Sequence, residues 1–143
     1  MPNRSHAKLA PKPREIDPAI GVNNLDAIAD GLAGVLSDTY ALVVRTHAVH
    51  WNVVGPLFYG AHNLTEEQYG EMFQAADEIA ERIRALGRFA PGTFAAFEAG
   101  AKIGEQKGAA GAKEMIAGLV ESHEAVARRL HELIRTAGEG DDA

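Results

Sequence analysis

Residues 25–56 read LDAIADGLAGVLSDTYALVVRTHAVHWNVVGP, and this stretch decides the fold. Apolar residues recur at Leu25, Ile28, Leu32, Val35, Leu36, Tyr40, Val43 and Val49. Steps of three and four place those side chains on one face of an α-helix. Asn24 is positioned to cap the start, His50 to end the helix, and Gly55-Pro56 to stop it. Working outward, a second helix fits residues 59–86, with Tyr69, Phe73, Ala76, Ala80, Ile83 and Leu86 on one side and Gly87 closing it. Residues 88–111 are rich in Gly, Pro and Ala and accommodate one short helix near 94–98. A third long helix fits 112–135, carrying Met115, Leu119, Val120, Val126, Leu130, Leu133 and Ile134, with Gly138 and Gly140 breaking it. No segment alternates with the two-residue period of a strand, so the expected fold class is all-α.

The chain has 143 residues, 46% hydrophobic and 24% charged, which suits one globular domain. Its lack of cysteine excludes a disulfide scaffold, a thiolate zinc site and a cysteine nucleophile. No uninterrupted apolar run approaches the roughly 20 residues of a membrane span, and no apolar leader opens the chain. A cytoplasmic protein with no membrane partner is therefore expected. The net charge of −6 is unevenly spread: Arg4, Lys8, Lys12 and Arg14 make residues 1–14 +4, leaving −10 on residues 15–143. The organisation expected is a flexible basic tail over 1–14 and a helical domain over 15–143. The tail is either a solvated terminus or an arm for a polyanion.

The chemical equipment is histidine and carboxylate. His50 and His62 flank the first turn, Glu66 lies four residues after His62, and Asp77 and Glu81 are four apart on the second helix. A four-residue step puts two carboxylates on one helical face, where they either converge on a cation or merely face water. Imidazole with carboxylate and no sulfur suits iron, manganese or zinc. From His62 to Asp77 is fifteen residues, about 22 Å along a straight helix. The histidines and the carboxylate pair therefore cannot share an ion within one chain. They can share one across a two-fold axis that sets two second helices antiparallel. A di-iron site inside one bundle uses Glu-x-x-His motifs, and no histidine here has a glutamate three residues before it. The His-Glu pairs at 123–124 and 131–132 lack the second histidine of a zinc-protease motif.

The run THAVHWNVVGP over 46–56, then Phe58, His62, EEQY over 66–69 and DEIAERIRALG over 77–87, resembles the Dps family of mini-ferritins, the DNA-binding proteins of starved cells. The resemblance implies a ferritin-like four-helix bundle assembled into a hollow homo-oligomer of about twelve subunits, with a ferroxidase centre at each two-fold interface. It implies that His50 and His62 ligate iron from one subunit and Asp77 and Glu81 from the next, with Glu66 near a second iron or a water. The implied activity is oxidation of Fe(II), preferably by hydrogen peroxide, and storage of Fe(III) mineral. It further implies protection of DNA in the bacterial nucleoid, here by non-specific binding through Arg4, Lys8, Lys12 and Arg14. Trp51 would either trap radicals beside the centre or pack at the interface. The competing reading is a DNA-compacting or scaffold oligomer with no active metal site. The family pattern has four long helices, whereas three are legible here, so the fourth is expected to be missing from this chain. Glu139, Asp141 and Asp142 fall where the family often places pore-lining carboxylates.

Overall fold

A computed structural model describes residues 21–104 and 111–142. Four helices follow in order: α1 (Leu25–Asn52), α2 (Phe58–Ala85), α3 (Phe94–Gly100) and α4 (Ala112–Glu139). There is no strand among the described residues. The basic residues Arg4, Lys8, Lys12 and Arg14 lie outside them. The four comprise three of 28 residues and one of seven, so the fourth helix present is the short one expected near 94–98, and no further long helix lies among the described residues.

α1 is the axis of the bundle, packed by α2, α3 and α4. Leu42, Val49 and Val53 meet Leu119 and Val126 of α4, while Leu36 meets Ala76 and Ile83 of α2. Full burial of each such side chain contributes about 1.5–3 kcal/mol. By length and composition α1 is apolar enough to cross a bilayer, yet more than half of that apolar window is buried inside the protein. Its buried threonine hydroxyls are satisfied there. Thr39 and Thr46 donate to the carbonyls of Val35 and Leu42, both at 2.8 Å.

Asp38 is the polar hub of this core, only 1% exposed. It accepts from Arg129 of α4 at 2.6 Å and from the Lys102 and Ile103 amides at 2.6 and 3.3 Å. Arg129 also donates to the carbonyls of Gly34 and Gly100, at 2.9 and 3.1 Å. The guanidinium lies so close to Gly34 that a Cβ there would overlap it, which explains a glycine inside an otherwise regular helix.

Several helix ends differ from expectation. Asn24 takes the cap position, but its side chain makes no capping bond and φ is +59°. α1 continues to Asn52, so His50 sits within the last turn rather than ending the helix. Gly87 does close α2: at φ +80° it lets the Arg88 amide reach the Ile83 carbonyl at 3.2 Å. α4 passes through Gly138 and stops at Gly140, because a glycine so near a helix end costs only about 1 kcal/mol. At that end the Asn23 amide donates to the Gly140 carbonyl at 2.8 Å. Asp142, expected among pore carboxylates, is mostly buried and pairs with Arg82, and Glu139 pairs with Arg135 at 2.8 Å.

Candidate metal centre

The turn between α1 and α2 builds the centre. Gly55 adopts φ +88°, a conformation costly for any residue with a side chain, and its carbonyl accepts the Phe58 amide at 3.0 Å as α2 begins. Val53 is buried beneath the turn. This reversal sets His62, in the second turn of α2, against His50, in the last turn of α1. Their rings stack with centroids 3.8 Å apart and planes 16° from parallel.

The hydrogen bonds are reciprocal. His50 Nδ1 lies 2.9 Å from the His62 carbonyl oxygen, and His62 Nδ1 lies 2.9 Å from the His50 carbonyl oxygen. A carbonyl only accepts, so each Nδ1 carries the proton and donates. Each Nε2 is then left with its lone pair, the form in which neutral imidazole binds a metal. His50 is 8% exposed and His62 half-buried. Thr65, nearly fully buried, adds a second contact to His50, Oγ1 to Nδ1 at 3.2 Å.

The carboxylates stand elsewhere. Glu66 is exposed one turn beyond His62, and Asp77 and Glu81 are exposed further along the same unbroken helix. Among the described residues, no three His, Asp or Glu side chains gather closely enough to hold an ion. The structure thus joins His50 to His62 and leaves Asp77 and Glu81 apart from them, as the length of α2 requires.

A run of rings continues from the histidines. Tyr69 meets His50 edge-on at 5.3 Å and tilts against His47 at 4.3 Å. His47 in turn stacks on Trp51 at 4.8 Å. Desolvation, then the charge of His50, lowers the His47 pKa. Trp51 itself is 70% exposed. The pKa of His123 on α4 is also lowered, by burial, and its Nε2 has no hydrogen-bond partner among the described residues. His131 is exposed.

Sequence reasoning missed Thr65 and the Asp38–Arg129 hub. A hydroxyl three residues after His62, and an acid inside the most apolar part of α1, were the available signals.

A long apolar α1 carrying one histidine of a histidine–carboxylate set, with the rest on α2, suits a ferritin-like protein. A model of the ferritin-like domain matches residues 29–143, so the chain belongs to that family. A DNA protection during starvation protein of Brevibacillus brevis is 36% identical over 101 residues, 71% of this chain and 68% of the relative. An uncharacterized low temperature-induced protein of Nostoc sp. strain PCC 7120 is 35% identical over 127 residues, 85% of this chain and 71% of the relative. The crystal structure of a Dps protein from Bacillus brevis superposes with a TM-score of 0.80 at 32% identity, covering 82% of this chain and 79% of that one. Within the ferritin-like proteins, this chain is a Dps-family mini-ferritin.

Proposed function

We propose that this protein stores and detoxifies iron as a ferroxidase whose centres form between subunits. The observation that carries the reading is the clasped histidine pair. Two imidazoles are fixed with both Nε2 atoms available, while the carboxylates that would complete the shell lie about 22 Å away on the same helix. A two-fold axis that sets two α2 helices antiparallel brings His50 and His62 of one subunit to Asp77 and Glu81 of the other, with Glu66 beside them. Val44, Trp51, Tyr59, Phe73 and Phe94 are large and exposed on the single chain, the kind of surface a second copy covers.

Fe(II) is the substrate of this centre. Imidazole and carboxylate hold it while leaving positions for an oxidant. Hydrogen peroxide takes one electron from each of two Fe(II) ions; its O–O bond breaks and two protons complete two waters. No hydroxyl radical is released on that route. Fe(III) then hydrolyses to mineral inside a shell of about twelve subunits, where the net −10 on residues 15–143 favours cations. Protection of DNA follows from removing Fe(II) and peroxide together. Arg4, Lys8, Lys12 and Arg14 add a non-specific, salt-sensitive contact to phosphates, multiplied by the number of tails. The same reading carries a cytoplasmic location, at the nucleoid where DNA is bound.

The test is peroxide-dependent Fe(II) oxidation by a variant carrying His50→Ala and Asp77→Ala. The expected result is a loss of at least about 100-fold, since even the outer partners of metal ligands are worth about 10- to 100-fold. Unchanged oxidation would overturn the site and favour the scaffold reading.

A further inference from the structure

The geometry points to Thr65 as a positioning residue that holds His50 in its metal-binding orientation, an inference that rests on the ferroxidase reading of the histidine pair. Buried threonines in helices commonly donate back to the carbonyl four residues earlier, and Thr39 and Thr46 do only that. Thr65 makes the same bond, to the Ala61 carbonyl at 2.6 Å, but its oxygen also lies 3.2 Å from His50 Nδ1. A hydroxyl has one proton. With that proton donated to a carbonyl, Ala61 at 2.6 Å or His62 at 3.0 Å, the Thr65 oxygen can only accept from the imidazole. The Nδ1–H of His50 is therefore shared between two acceptors, the His62 carbonyl at 2.9 Å and the Thr65 hydroxyl.

Among the described residues His62 has no such second acceptor: its Nδ1 meets the His50 carbonyl. The two ligands are thus held unequally. His50, buried and doubly anchored, is the fixed ligand; His62, half-buried and singly anchored, is the adjustable one. The hydroxyl of Thr65 lowers the freedom of the His50 ring to turn about its Cβ–Cγ bond and raises the donor strength of Nε2. Outer hydrogen bonds of this kind typically change metal affinity about 10- to 100-fold.

The experiment compares Thr65→Val, Thr65→Ala, Thr65→Ser and the control Thr39→Val in the full chain. Co(II) serves as a probe that air does not oxidise, and the metal-free protein is read by nitrogen-15 spectra of the imidazoles. Expected are a fall of about tenfold in Co(II) affinity for the valine and alanine variants and faster solvent exchange of the His50 Nδ1 proton. The His62 signal should move less, serine should restore both readouts, and Thr39→Val should change neither. If valine prevents folding, alanine still removes the hydroxyl with the least steric change. Unaltered Co(II) affinity and His50 exchange in the hydroxyl-free variants would overturn the role of Thr65, as would failure of serine to rescue. His50→Ala separates the two ideas. Loss of Co(II) binding there with no effect at Thr65 removes only this inference, whereas binding that survives His50→Ala removes the site itself.

Discussion

Near the first turns of α2, His62 is oriented by a hydrogen bond to the His50 carbonyl and by ring stacking. Farther along the same helix, Asp77 and Glu81 stand in solvent with no ion pair among the described residues. The contrast follows from what each ligand type needs. An imidazole binds metal only with the correct nitrogen deprotonated and facing the ion, so its tautomer and plane must be set in advance. A carboxylate accepts through either oxygen and needs only to be in the right place. Folding of one chain therefore completes the demanding half of the centre. The tolerant half is delivered by whatever surface it meets.

The sharpest way to break this contrast is to divide it between two chains. A variant carrying His50→Ala and His62→Ala, and another carrying Asp77→Ala and Glu81→Ala, should each be nearly inactive. Unfolded together and refolded at equal concentration, they should regain about a quarter of wild-type Fe(II) oxidation. Half of random two-fold pairs would then hold one intact site out of two. No recovery in correctly assembled mixtures would place both halves in one subunit.

A third polar group, Asp38 of α1 with Arg129 of α4, belongs to the buried core. Asp38→Ala leaves Arg129 without its anion and two amides without an acceptor, and should cost about 3–5 kcal/mol of stability, measured by urea unfolding. A loss under 1 kcal/mol would mean that water reaches this hub.

Acid should weaken the histidine-bearing core more gently. Burial lowers the pKa of His123, and burial followed by the His50 charge lowers that of His47. The unfolded chain therefore takes up these protons first, near the ordinary histidine value of about 6.5. This contribution to stability is fully present above that value and is lost as pH falls through the lowered folded values. The urea midpoint should drop between pH 7 and pH 5.5, and His123→Asn should reduce the drop. An unchanged pH dependence in that variant would assign the drift elsewhere.

The smallest effect on oxidation is expected from deleting residues 1–14, since no proposed ligand lies there. The same deletion should weaken DNA retardation most at low salt. Retardation that ignores both the deletion and the salt concentration would exclude the tail as the DNA contact.

The three long stripes were legible because amphipathic periodicity is a local property, and the helices lie within a few residues of their expected limits. The separation of His62 from Asp77 was legible too, since helix rise alone fixes it. The endpoints were less so: α4 runs through Gly138 because the penalty there is small beside the packing of Leu133 and its neighbours. Asp38 and Arg129 are 91 residues apart, and nothing local announces that one will neutralise the other. The clasp of His50 and His62 was hidden for a related reason. Both residues stand out in the sequence, but the bonds that set their tautomers go to backbone carbonyls, which every residue has.

The backbone bond from Asn23 to Gly140 brings the entry of α1 beside the exit of α4. The segment from Asn23 to Gly140 is thus close to a closed loop of chain, and order along the sequence becomes separable from order in space. Circular permutants should be accessible, with residue 140 linked to residue 23 and new ends opened in the exposed connection between α2 and α3, around Gly92. Such a chain would keep the α1–α2 turn intact while presenting its termini on a different side of the subunit, a route to display cargo without disturbing the histidines.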